Sequence, residues 1–271
     1  MTVVIAFLCS DGVVVAADSM ITPSLGGINV GHHHGVKVNL LAGPQIFAFA
    51  GDQGQAARCQ VMADSNAALA AGSAHPLDYP LVLSQGIVTQ FRNTGISGNA
   101  INVNTVLAFL HGGDVHCCAF EGAYQPRLLD QQHYYVALGS GKLSADPFLR
   151  FLADIFCRSG QPNVREAVFL ATWTVQHVID VNPGGVAGPI RIAVFERDAN
   201  GAYVARQLPD TEIEEPKQAI ESAADALRSW RQGIQSGDAA QGIPNPPAAP
   251  AQAEAAQADP AQGAPAPANA Q

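Results

Sequence analysis

Charge is scarce in this chain, and its scarcity narrows the field of functions. Of 271 residues only 14% are charged, 14 Lys and Arg against 23 Asp and Glu, for a net charge of −9. With no Lys- or Arg-rich run, nucleic acid and anionic membranes are not expected partners. No positive charge precedes the first apolar run, which ends at Cys9. Neither a signal peptide nor a membrane span is expected. The cysteines (Cys9, Cys59, Cys117, Cys118 and Cys157) are odd in number and lack C-x-x-C spacing. Buried or idle thiols in a reducing cytoplasm are the expectation, with no metal and no cofactor. His32, His33 and His34 are consecutive, so on an extended chain they alternate faces and converge poorly on one ion. A solvated loop is expected there. The sequence shows no ATPase motif.

Apolar residues, by contrast, make up 48% of the sequence. The first of them organise the chain. Val3 to Leu8 and Val13 to Ala17 flank Asp11-Gly12, a tight-turn signal, and together predict a hairpin. Both runs are nearly continuous rather than alternating, which suits strands covered on both faces. Gly-, Ser- and His-rich residues 20–35 are expected to form a loop. A second hairpin is predicted from Val36–Leu41 and Ile46–Gly51, followed by an Ala-rich helix over 52–72 and another over 80–94. Strands are predicted at 104–110, 115–120 and 134–138. Beyond Gly139-Ser140-Gly141, apolar positions at helical spacing from Phe148 to Phe156 predict a helix. Asn163 with Glu166 forms a capping-box pattern that starts the next helix. A closing hairpin (190–195 and 203–208) and a helix over 216–232 complete the pattern.

This order fits an α+β fold in which two antiparallel sheets carry helices on their outer faces. One domain over 1–235 is expected. Residues 236–271, rich in Ala, Pro and Gln, are expected to be a disordered tail. The low charge fraction suits burial in an assembly.

The chemistry-bearing residues sit at the open end of the first hairpin. If Met1 is removed, Thr2 holds a hydroxyl and a free α-amine, a nucleophile and a base in one residue. An α-amine titrates near pH 7.7–8.0, so a useful fraction is neutral at cytoplasmic pH. A lysine near the hydroxyl would favour the alkoxide, and a carboxylate would fix that lysine. Asp18, at the end of the second strand, and Lys37, the one lysine in the N-terminal sheet-forming part, are the candidates. Each feature alone has an ordinary reading: a turn at Asp18-Ser19, a surface lysine, a helix start at Gly51-Asp52.

Taken jointly, Thr2-Val3-Val4, Ala16-Ala17-Asp18-Ser19, Lys37, Ala48-Phe49-Ala50-Gly51, Gly139-Ser140-Gly141 and Asp180 with Gly184-Gly185 resemble the proteasome β-subunit family. The resemblance spans about residues 2–208, and among bacterial relatives is greatest to the beta-proteobacterial proteasome homologue. It implies a four-layer αββα sandwich, the N-terminal nucleophile hydrolase fold. It also implies homo-oligomeric rings that enclose a threonine endopeptidase acting on polypeptides. Thr2 would be nucleophile and base, Asp18 and Lys37 would tune it, and Ser140 and Asp180 would hold its amine. The Gly51 N–H would stabilise the oxyanion, and Ile21, Thr22, Gly35, Phe49 and Gln53 would contact substrate, Ile21 and Phe49 making the pocket apolar. The Asp18–Lys37 interval is longer than the family's. Pro183 stands where the family usually has a serine that contacts the amine, which points to slow turnover. A ring subunit with weak or no proteolysis, and a small-molecule amidase using the same nucleophile, are the alternatives.

Overall fold

The computed structural model describes residues 2–25, 28–182 and 184–236. The chain divides into two compact units, Met1–Glu221 and Ser222–Gln271. Unit 1 begins with the predicted hairpin, β1 (Val4–Leu8) and β2 (Val13–Ala17), paired antiparallel from Val4↔Ala17 to Leu8↔Val13. Four two-residue strands follow: β3 (Met20–Ile21), β4 (Ser24–Leu25), β5 (Ile28–Asn29) and β6 (His33–His34). Then come β7 (Val38–Leu41), β8 (Gln45–Gly51), α1 (Gln53–Ser65), α2 (Ala67–Gly72) and α3 (Asp78–Asn93). The middle of the chain holds β9 (Val103–His111), β10 (Asp114–Glu121), β11 (Gln125–Leu128) and β12 (Tyr135–Leu138). Helices α4 (Lys142–Phe156) and α5 (Val164–Val181), strands β13 (Arg191–Arg197) and β14 (Tyr203–Gln207), and helix α6 (Asp210–Ser236) complete it.

Two five-stranded antiparallel sheets result, ordered β12-β1-β2-β13-β14 and β11-β10-β9-β8-β7. They stack face to face with helices outside them, giving the four-layer αββα sandwich. The period-2 geometry of a strand explains the unbroken apolar runs. On β1 and β2, Val3, Ile5, Phe7, Val14 and Ala16 pack toward α4 and α5, while Val4, Ala6, Val13, Val15 and Ala17 face the second sheet. That sheet repeats the division: Ala48, Ala108 and Ala119 face inward, and Phe47, Phe109 and Phe120 face α1–α3. Small side chains between the sheets allow close approach, and large ones fill the helix-covered layer. The five cysteines are buried in these layers. Burial pushes the Cys59 thiol up to about 11 and Cys117 to about 12.

Several sequence expectations are corrected. The stretch 20–35 is not a plain loop, since its short strands pair as Met20↔His34 and Ser24↔Asn29. The Ala-rich helix breaks at Asn66, whose side chain bonds the Met62 carbonyl oxygen at 2.8 Å. An extra strand, β11, sits at a sheet edge, where Pro126 leaves no inner ladder bond unmade. Helix α6 starts at Asp210 rather than Pro216, because buried Ile213 anchors a turn that Arg191 and Arg206 hold through Asp210 and Glu212. The capping box at α5 forms as its sequence predicts, with Asn163 and Glu166 bonded reciprocally at 2.9 and 3.0 Å.

Within unit 2, described over 222–236, Leu227, Trp230 and Ile234 of α6 are exposed. The tail expected beyond 236 lies outside the described residues. Among the described residues no helix is long and apolar enough to cross a membrane.

Candidate active site

Thr2 enters the sandwich at the start of β1, where backbone contacts fix it before its side chain does anything. Its carbonyl oxygen accepts from the Gly141 N–H at 3.0 Å. A Cβ on Gly139 would overlap that same carbonyl, so the Gly139-Ser140-Gly141 turn closes directly over Thr2. This places Ser140 Oγ 3.2 Å from the Thr2 nitrogen.

The hydroxyl faces Lys37. Its Nζ lies 3.0 Å from Thr2 Oγ1 and 2.8 Å from Asp18 Oδ1. Both charged residues are 1% exposed. Asp18 also accepts the Val3 N–H on Oδ1 and the Met20 N–H on Oδ2, each at 3.0 Å. The carboxylate is therefore locked by three donors and locks the lysine in turn. Burial lowers the Lys37 pKa from its ordinary value, with the Asp18 charge opposing but not cancelling that effect. A lysine so placed donates to the Thr2 oxygen and releases its proton more readily than a solvated one.

The site opens into a cavity of about 530 Å³ that touches Thr2, Lys37, Gly51 and Ser140. Gly51 ends β8 with φ +112° and turns the chain into Asp52, the N-cap of α1. Ile21, Thr22, Phe49 and Gln53 line the cavity. The apolar pocket expected from Ile21 and Phe49 is in fact mixed: Asn102, Asn104, Asp52 and His33 also line it. Asn102 and Asn104 carry no signal in the sequence, and His33 and Asp52 are read there as a loop histidine and a helix start. Asn104 reaches the site because it pairs with Ala50 across the β8–β9 ladder, and His33 because it pairs with Ile21. Such long-range register leaves no local signal.

Gly35 does not line the cavity itself; it lies beneath Ile21, and a Cβ there would overlap Ile21 Cδ1. Gly35→Ala is expected to push Ile21 toward the cavity and narrow it there, which a crystal structure of the variant would check.

Asp180 stands apart from the group. It is exposed in the last turn of α5, and its carboxylate accepts from Gln176 Nε2 at 2.8 Å. Among the described residues it makes no hydrogen bond to Thr2 or Ser140. Pro183 lies outside the described residues.

Solved structures of Anbu chains match at a level that decides the fold. Anbu from Hyphomicrobium sp. strain MC1 superposes with a TM-score of 0.63 at 15% identity, over 84% of this chain and 97% of the other. A mutant of that protein gives 0.64 at 16%, over 87% and 100%. Anbu from Yersinia bercovieri, described as an ancestral β-subunit, gives 0.62 at 14%, over 90% and 99%. The chain has their fold. That fold is the four-layer αββα sandwich. The sequence-level assignment to proteasome β-subunits, and to their beta-proteobacterial homologue, is thereby corrected: the matches are to Anbu, a distinct group. No family model and no curated protein matches the sequence.

Proposed function

We propose that the chain is a threonine-type peptidase whose nucleophile is Thr2, freed by removal of Met1. The observation that carries this reading is Lys37 Nζ standing between Asp18 Oδ1 and Thr2 Oγ1 at 2.8 and 3.0 Å. In the acylation step the Thr2 α-amine takes the proton from Oγ1, and Oγ1 attacks the substrate carbonyl carbon. The Lys37 ammonium steadies the oxygen as it loses its proton. The Gly51 N–H donates a hydrogen bond to the carbonyl oxygen as that oxygen becomes negative, a contribution of about 3 kcal/mol. The α-ammonium then protonates the leaving amine as the C–N bond breaks, and water hydrolyses the resulting ester by the same route. Ser140, 3.2 Å from the Thr2 nitrogen, orients the amine. Copies of the chain, in this reading, assemble in the cytoplasm into rings whose sites face an enclosed space, with a separate ATPase delivering unfolded polypeptide.

Treatment with a peptide β-lactone followed by intact mass measurement tests the proposal. One adduct on Thr2 per chain is expected, on protein lacking Met1, and none on Thr2→Ala. The adduct rate should rise with pH between 6 and 8 and then level, because the neutral α-amine is the base and its ordinary pKa is about 7.7–8.0. A rate flat across that range removes the amine from the mechanism.

The place of Asp180 favours a second reading, a subunit with slow turnover. Its carboxylate is bonded to Gln176, which leaves Ser140 as the described side chain holding the amine. Stoichiometric adduct with negligible steady-state peptide hydrolysis would distinguish this case.

A further inference from the structure

The cavity in front of Thr2 carries one charge that the described residues leave unanswered. Lys37 is paired with Asp18, so that part of the wall is neutral as a unit. Asp52 also lines the cavity, and among the described residues it makes no ion pair. Its position is fixed from three sides. The Asp52 N–H donates to the Asn102 carbonyl oxygen at 2.7 Å, and its own carbonyl oxygen accepts from Ala56 at 2.9 Å. Oδ1 accepts the Gln55 N–H at 2.8 Å, while Oδ2 has no partner among the described residues. The N-terminus of α1 would by itself draw an anion, with about half a positive charge. The capping carboxylate more than offsets that, so the entry to α1 is left negative. A neutral His33 and a neutral Thr2 amine, the form that acts as base, do not change the sign.

Other groups on the same wall are also without partners. Thr22 Oγ1 is buried and makes no hydrogen bond. The side-chain amides of Asn102 and Asn104 make none among the described residues, although the Asn102 N–H and carbonyl oxygen are both taken. Each of these three side chains can present an oxygen, and none brings a positive charge. What the wall lacks is a cation rich in donors. A guanidinium supplies five N–H donors and no acceptor, and an ammonium supplies three. We propose that Asp52 is a specificity-determining residue, and that the cavity takes a polypeptide through an arginine or lysine side chain close to the bond presented to Thr2. The inference rests on the peptidase reading for the nature of the substrate. Asp52 itself touches the side chain and no reacting atom. An acidic side chain would meet the Asp52 carboxylate with like charge and is disfavoured. Because Asp52 is exposed, the contact is screened and changes affinity by a few-fold rather than by orders of magnitude.

Fluorescence anisotropy on the full-length protein tests this, with two labelled hexapeptides that differ at one residue, arginine in one and citrulline in the other. Citrulline keeps the shape of arginine and loses its charge. Near pH 8 and at low salt the arginyl peptide should bind about fivefold more tightly, and added salt should close most of that gap. Asp52→Asn should abolish the preference. Asparagine is as good an N-cap as aspartate, so α1 stays in place, which circular dichroism and a urea midpoint confirm. The inference is overturned if the two peptides bind equally, if the arginyl peptide does not bind, or if its preference survives in folded Asp52→Asn. A β-lactone adduct on Thr2 without any arginine preference overturns this inference alone. An Asp52-dependent preference on protein that forms no adduct overturns the peptidase reading and upholds the cation site.

Discussion

Lys37→Met is expected to slow adduct formation at Thr2 by about a thousandfold, and to destabilise the fold as well. Methionine keeps the volume of the stem but deletes the one donor on Thr2 Oγ1 and the charge beside Asp18. With its partner gone, the Asp18 carboxylate is stranded at 1% exposure with only the Val3 and Met20 amides to solvate it. Breaking a buried pair from one side costs about 3–5 kcal/mol, and the two remaining amide bonds place this case near the lower figure. The double variant Asp18→Asn/Lys37→Met separates the two effects. An asparagine at 18 is neutral and its one amide oxygen can still accept from Val3 or Met20, so part of the lost stability should return while the rate does not. Urea unfolding of the same assembly, alongside β-lactone adduct kinetics, reads both quantities. A double variant that recovers the rate would remove Lys37 from the chemistry and leave it a structural role.

The parts of this arrangement that were legible in the sequence are those whose signal is local or doubled. The β1–β2 hairpin was legible because both of its faces are buried, which makes its runs unbroken, and because Asp11-Gly12 marks the turn. Asn163 and Glu166 declared the start of α5 for a similarly local reason. Residues 20–34 gave no such signal: two-residue strands have no periodicity to read, and their Gly, Ser and His content matches a loop. β11 was hidden by Pro126, which argues against a strand everywhere except at a sheet edge. At the site, Asp18 and Lys37 were the carboxylate and lysine the sequence offered beside Thr2, and Gly51 was implied by the family resemblance. Asn102 and Asn104 could not, since only the β8–β9 register carries them there. Asp180 shows the limit of transfer by position. The spacing puts it at the right end of α5, but the side chain's direction is set by a neighbour four residues back, Gln176.

Gly51→Ala should slow the proposed acylation of Thr2 while leaving the Thr2 hydroxyl and Lys37 untouched. With φ at +112°, Gly51 occupies backbone space that alanine adopts only under strain, and a Cβ there would overlap the Asn102 carbonyl oxygen. That carbonyl cannot retreat freely. It accepts the Asp52 N–H at 2.7 Å, and the Asn102 N–H is itself held by Gln55 Oε1 at 2.8 Å. Gln55 also donates from Nε2 to the Ala100 carbonyl oxygen at 3.0 Å, so α1 clamps the whole 100–102 segment against the end of β8. The end of β8 must therefore shift instead, carrying the Gly51 amide, the proposed oxyanion donor, out of position. A strain of about 1–3 kcal/mol in stability is expected, with a fall of 10²–10³ in acylation rate from the misplaced amide. Gln55→Ala relaxes the clamp without adding a Cβ at 51, so Gly51→Ala/Gln55→Ala should regain stability before it regains rate. Equal adduct rates for Gly51→Ala and the parent protein would exclude the Gly51 amide as the oxyanion donor, whatever happened to stability.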